Sequence, residues 1–154
     1  MACAIRILVQ SGPFDTLAEL EAVKACDADV GAVVTFSGIC RDESGRLEAL
    51  ELEHYPGMAE AEITRIAREA ARRWPVDALT VIHRHGKIVP GDDIVLVIAA
   101  SSHRQAAFEA ASFLMDFLKT DAPFWKKEHL ADGSAGEWVD AREADDKARE
   151  RWRT

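Results

Sequence analysis

The chain reads as an α+β protein, and three features of its 154 residues lead there. Short β-branched or alternating runs recur along the length, at 5–9, 32–37, 49–55, 79–85 and 93–100. Helical stretches separate some of these runs and not others, so a strict βαβ rhythm is missing and a mixed sheet is expected. The length suits one domain spanning 1–154 with a substantial core, and no repeat or low-complexity tract divides it.

The run at 5–9 closes at Ser11-Gly12-Pro13 and is expected to be the first strand. Asp15 or Thr16 can cap a helix over 17–25, with Leu17, Leu20 and the Lys24 stem turned inward. Strands at 32–37 and 49–55 follow. In the second, Leu50, Leu52 and His54 alternate with Glu51, Glu53 and Tyr55, which predicts one buried and one wet face. Between them, 38–46 is expected to be a mobile hairpin loop. Pro56-Gly57 breaks the chain ahead of an amphipathic helix over 58–74, where Ile63, Ile66, Ala67, Ala70 and Trp74 share a stripe and Pro75 ends it.

Strands at 79–85 and 93–100 are joined by 86–91. The second, IVLVIAA, is apolar on both faces and belongs in the middle of a sheet. The helix expected over 105–118 is apolar around most of its girth, so it is buried on more than one side, a second subunit being one way to cover it. Residues 129–136 read as a flexible loop, 137–141 as a last short strand, and 144–154 as a charged terminal helix and tail.

Composition narrows the function. The chain is 48% apolar and 30% charged, with a net charge of −8, which disfavours nucleic acid or an anionic membrane as a general partner. Cys3, Cys26 and Cys40 form no C-x-x-C pair and match no zinc or disulfide framework, so reduced thiols in the cytoplasm are expected. The chain shows neither a signal-peptide pattern nor an apolar run approaching the roughly 18 residues of a membrane span.

Positive charge is gathered locally, between 101 and 128. A strand running through SSHR (101–104) into a helix makes an anion site, because first-turn N–H groups and the helix dipole favour negative charge and His103 and Arg104 add donors. The alternative is a serine cap followed by two surface side chains. Lys119 ends that helix, where a lysine also simply offsets the dipole. Pro123 stops the helix, and Phe124-Trp125 are expected to pin a reversal that returns Lys126 towards Lys119. Two amines crowded together lose proton affinity and gain reactivity, although Lys126 and Lys127 can equally be solvated. Arg41 sits on a loop able to close over a ligand. His54, His83 and His85 imitate a metal site, yet no Asp, Glu or Cys spacing supports one, so no metal is expected. Cys40 beside Arg41 lacks a nearby histidine to activate it and reads as a packed thiol.

Taken together, GAVVTFSGICR (31–41), LELEHYPGMAE (50–60), RWPVDALTVIHRHG (73–86), PGDDIVLVIAASSHRQAAFEA (90–110), MDFLKTDAPFWKKE (115–128) and WVDARE (138–143) resemble the MoaE family, the large catalytic subunits of molybdopterin synthase. The resemblance covers most of the chain. It implies an α/β hammerhead fold with additional antiparallel strands, and conversion of precursor Z, a cyclic pyranopterin monophosphate, into molybdopterin. Sulfur would come from the thiocarboxylated Gly-Gly terminus of a small ubiquitin-like carrier subunit of the MoaD type. A central homodimer with one carrier at each end, a heterotetramer, is implied, with no cofactor and no metal. The family's catalytic lysines fall on Lys119 and Lys126, and its substrate-binding positions on Arg41, His103, Arg104, Lys126, Lys127 and Glu128. Arg142 resembles an arginine that reaches a neighbouring subunit's pocket. The lysines and the His103–Arg104 pair are expected to converge in one cationic pocket. The competing readings are a metal-free phosphate-ester hydrolase and a non-catalytic binding module.

Overall fold

The computed structural model describes residues 4–120, 124–139 and 143–153. Its elements run β1 (Ala4–Gln10), α1 (Thr16–Ala25), β2 (Ala32–Ile39), β3 (Leu47–His54), α2 (Met58–Arg73), β4 (Val76–Arg84), β5 (Gly86–Ile88), β6 (Asp93–Ser101), α3 (Arg104–Leu118), β7 (Phe124–Leu130), β8 (Ala135–Val139) and α4 (Glu143–Glu150). Two four-stranded sheets result, ordered β1-β4-β6-β2 and β5-β3-β7-β8. Of the pairings, β1–β4 is parallel and the rest are antiparallel, which is the α+β arrangement.

The first sheet is covered on both faces, which is why its two central strands, β4 and β6, are buried along most of their length. Leu79, Val81, Val95, Val97 and Ala99 pack with Ile63, Ile66 and Ala70 of α2 and with Ala110, Phe113 and Leu114 of α3. On the other face Ala78, Ile82, Leu96, Ile98 and Ala100 meet Val23 of α1. Each fully buried aliphatic side chain here contributes roughly 1.5–3 kcal/mol. The second sheet has a smaller core of Cys40, Leu47, Leu50, Leu52 and Ile88, and Ile94 packs against both this cluster and the α2/α3 one.

Three expectations are corrected. Leu17 is 67% exposed, and Lys24 is exposed too; Leu20 and Val23 hold the inward side of α1, and Phe14, ahead of the helix, packs on the same cluster. The link at 86–91 contains β5, which pairs with β3. Residues 129–136 form a hairpin rather than a flexible loop: β7 runs to Leu130 and β8 starts at Ala135. Its turn is closed by the Leu130 N–H to the Ser134 carbonyl (2.9 Å), with Gly133 at φ +90°. Its strands are polar on one face and get their partners across the sheet, so local periodicity carried no signal. The Asp15 cap is as expected, its carboxylate accepting from the Ala18 N–H at 3.0 Å.

Gly31 fixes the entry to α3. Its N–H donates to the Ser101 carbonyl at 3.0 Å, and a Cβ there would fall 2.4 Å from the Ser102 carbonyl oxygen. Backbone would have to move. Gly31→Ala is expected to cost about 1–3 kcal/mol, read as a lowered urea midpoint. Gly12→Ala, where an added Cβ meets nothing within 4 Å, is the control expected to change little.

Candidate active site

The two ends of α3 carry the cations that the sequence singled out. At its start His103 is the N-cap in extended backbone, without a side-chain cap bond, and no acidic residue occupies the first turn. The Ser101 hydroxyl donates to the Pro75 carbonyl at 2.8 Å and accepts from the His103 N–H at 3.4 Å, so it tethers β6 to the α2–β4 link and leaves the helix without a serine cap. His103 and Arg104 are exposed beside unpaired first-turn N–H groups, an arrangement suited to an anion. At the far end Lys119 is the C-cap, its N–H bonded to the Met115 carbonyl at 3.1 Å.

The helix between them has 15 residues and is therefore about 22 Å long at 1.5 Å per residue. Within one chain the His103–Arg104 pair and Lys119 cannot share a pocket, which corrects the expected convergence. The sequence placed these residues at the two ends of one helix, and a rigid rod keeps them apart.

Lys126 lies on β7, placed by pairing with β3. Leu52 opposes Lys126, Leu50 opposes Glu128 and His54 opposes Phe124. Directly opposed residues share a face, so Phe124, Lys126 and Glu128 lie on the side of buried Leu50 and Leu52. Lys127 is on the other face, opposite Glu51, with its Nζ 5.3 Å from the centre of the Trp138 ring. His129 joins it there, its Nε2–H donating to Glu51 at 2.7 Å. The adjacent lysines thus point apart.

Phe124 connects the lysines. Its ring stacks on His83 of β4 with centroids 3.9 Å apart and planes 14° apart. His83 is buried, and the Arg84 carbonyl can only accept, so the 2.8 Å contact puts the proton on Nδ1. Burial pushes the His83 imidazole down to about 4, and the nearby Lys119 charge adds to that, with smaller contributions from His54 and His85. Lys119 itself is exposed at the end of α3, and Lys126 lies one strand repeat, about 7 Å, beyond Phe124 on the same face.

The remaining expected residues are spread around this centre. Arg41 is largely exposed on the 40–46 loop, 3.5 Å from Glu43. Glu128 accepts from Arg46 at 2.8 Å, and Arg46 also bonds Glu43, so the loop is tied to β7. Arg46 was not singled out in the sequence, because its partner is 82 positions away. The same loop is stitched by Cys40 N–H to Asp92 O (2.9 Å) and Ala131 N–H to Arg46 O (2.9 Å). Cys40 is buried, and burial followed by Asp92 and Glu43 raises its thiol above the usual range, which suits a packed thiol. Arg142, Pro123 and Cys3 lie outside the described residues.

Among the described residues no group of three or more His, Cys, Asp or Glu side chains is arranged for a metal ion; His54 and His85 stack on each other instead. No helix among them is long and apolar enough to cross a membrane. A groove of about 440 Å3 between α1 and β2, lined by Leu20, Lys24, Val30 and Val33, belongs to a different part of the fold from the lysines of α3 and β7.

An α+β chain with one lysine exposed at the end of α3 and another on the inner face of β7, beside a run of stacked rings, is a candidate anion-processing subunit. Comparison with known proteins narrows this. Residues 9–121 match the family described as MoaE protein. The molybdopterin synthase catalytic subunit of Mesorhizobium japonicum is 67% identical over 148 residues, covering 96% of this chain and 93% of that protein. Among solved structures, the molybdopterin biosynthesis MoaE protein from Burkholderia ambifaria is 47% identical with a TM-score of 0.81, covering 97% of each chain. The molybdopterin synthase from Staphylococcus aureus is 31% identical with a TM-score of 0.77, covering 86% of this chain and 95% of that one. The chain belongs to the MoaE family.

The His83 environment sets a pH dependence. The unfolded chain binds this proton near pH 6.5 and the folded chain only near 4. Between those values the unfolded state holds more protons, so stability is full above about pH 6.5 and declines as pH falls towards 4. The loss from this one group is on the order of 3 kcal/mol. His83→Phe is expected to flatten the slope of urea-derived stability across that window.

Proposed function

We infer that the chain is a sulfurtransferase with the activity named for its relatives, the catalytic part of molybdopterin synthesis. Its substrate is precursor Z, and its sulfur donor is the thiocarboxylated end of a small ubiquitin-like carrier of the MoaD type. The observation that carries the reading on the structural side is the placement of Lys126. It is turned to the inner face of β7, behind Phe124, whose stacking partner His83 feels Lys119. Both substrates are anions, and fixed cations beside a buried wall attract and orient them. The unpaired thiols agree with a cytoplasmic protein.

Carrier sulfur attacks a side-chain carbon of the substrate and forms a C–S bond as the C–O bond from that carbon to the cyclic phosphate breaks, the phosphate oxygen leaving as the ring-opened anion. Lys119 orients the tail carbonyl and stabilises the charge that develops on it. Lys126 moves protons and assists opening of the cyclic phosphate. Water then cleaves the bond to the carrier, releasing it as a carboxylate and leaving sulfur on the substrate, and a second loaded carrier delivers the other sulfur to the neighbouring carbon, whose oxygen leaves as water before the same hydrolysis frees that carrier. Arg41, Lys127 and Glu128 serve binding at the margin of the site, Glu128 through Arg46.

The length of α3 supports a site shared between two copies. His103 and Arg104 of one copy bind the phosphate end of a substrate whose reacting carbons lie at Lys119 and Lys126 of the other. Arg142 is assigned to the same crossing.

The decisive assay mixes the chain with precursor Z and thiocarboxylated carrier and detects dithiolene product. Phosphate release without carrier would favour the hydrolase, and binding without product the non-catalytic module. Lys119→Ala is expected to lower the rate about 10²–10³-fold with the fold intact, whereas replacing all three cysteines should spare it. An equal mixture of Lys119→Ala and Arg104→Ala chains, reassorted as dimers, should regain about a quarter of wild-type activity, because half the dimers are mixed and each holds one complete site. No recovery would sink the shared site.

A further inference from the structure

The rings around Phe124 continue beyond His83. Phe124 also stacks on His54 of β3, with centroids 6.1 Å apart and planes 27° apart, and His54 lies 4.2 Å from His85. Four rings from β4, β7, β3 and the β4–β5 link thus run in one file, from the first sheet into the second. The file meets β7 at its first residue, two positions before Lys126 and on the same face.

We propose that the His83–Phe124–His54–His85 file is a positioning device, fixing the start of β7 against β4 and so holding the Lys126 amine in register with the end of α3. This rests on the assignment of Lys126 to the site, and it adds three histidines and a phenylalanine that act through that lysine. The reasoning is steric. Phe124 follows Lys119 by only five positions, so a displaced Phe124 ring would carry the start of β7 with it. Planar rings stacked on both sides leave Phe124 one orientation, whereas a flexible aliphatic side chain would leave several. A shift of about 1 Å in a catalytic group is enough to cost up to 10²-fold in rate.

Two of the imidazoles in the file, His83 and His85, are held towards their neutral forms. Lys119 from α3 and Glu60 from α2 are the charged groups that face it, together with the histidines themselves. Burial and the Lys119 charge keep His83 neutral. Burial and His54 lower His85, against an opposing pull from Glu60.

The test uses the full chain with thiocarboxylated carrier and precursor Z. Phe124→Leu removes the ring and keeps apolar bulk; Phe124→Tyr keeps the ring. Phe124→Leu is expected to slow single-turnover product formation about tenfold, with carrier affinity within about twofold of wild type and an unchanged far-UV spectrum. Phe124→Tyr should return the rate to within about threefold. Reductive 13C-methylation gives each lysine its own resonance; that of Lys126 should shift in Phe124→Leu and not in Phe124→Tyr. A Leu variant at wild-type rate, or a Lys126 resonance displaced equally by both replacements, overturns the proposal. Should Phe124→Leu fail to fold, His54→Leu against His54→Phe decides by the same readouts. Full activity in Lys126→Ala would instead remove the catalytic assignment, and the resonance would still decide whether the file positions the amine.

Discussion

The pairing of β7 onto β3 is the constraint from which the site follows. A strand sends alternate side chains to opposite faces, so a slip of one residue would exchange Lys126 for Lys127 on the inner side. The polar contacts along β7 are exposed or half-exposed: Arg46 to Glu128, His129 to Glu51, Lys127 over Trp138. Such contacts are worth at most about 1 kcal/mol each. Register is set instead by what the inner face buries, Leu50, Leu52 and Ile88, and by the seating of Phe124 on His83. The apolar face decides which amine turns inward, and the polar contacts agree with that choice.

The first sheet supplies a rigid base for this. β4 and β6 are buried on both faces between α1 on one side and α2 with α3 on the other. Such a layer yields little, so His83 at the end of β4 and Lys119 at the end of α3 hold a fixed relation. Trp74 reinforces it, its indole N–H donating to Glu109 at 2.9 Å and its ring packing edge-on against Phe113. Lys119 and the His103–Arg104 pair are placed by the two ends of α3, whose inner side is buried.

Elements with their own periodicity were legible before any coordinates. IVLVIAA announced a doubly covered strand, and the stripe Ile63, Ile66, Ala67, Ala70 announced α2; all four of those side chains are buried. Lys119 at a helix end and His103–Arg104 at a helix start were likewise local readings. What the sequence could not display was relation across distance. The β7–β8 hairpin reads as loop because HLADGSAG contains no apolar alternation and its partner strand is far away. The geometry of Lys126 and Lys127 depends on a register with β3, and Arg46 depends on Glu128. In the sequence His83 and His85 share a strand face and with His54 imitate a metal site, while their partner Phe124 reads as part of a turn, so the ring file does not show there.

The choice of neighbours for Lys119 carries a physical logic. A carboxylate beside it would neutralise the amine and compete with an anionic substrate. The side chain that registers its charge is instead an imidazole held neutral by burial. Of the stacked rings only His83 is buried, and a charge near so buried a group is less screened than one in open water. The stack must not itself become charged, because a cation there would oppose both the lysines and its own packing. His83 meets both requirements: it is flat enough to stack, polar enough to tie one nitrogen to a backbone carbonyl, and kept neutral by burial.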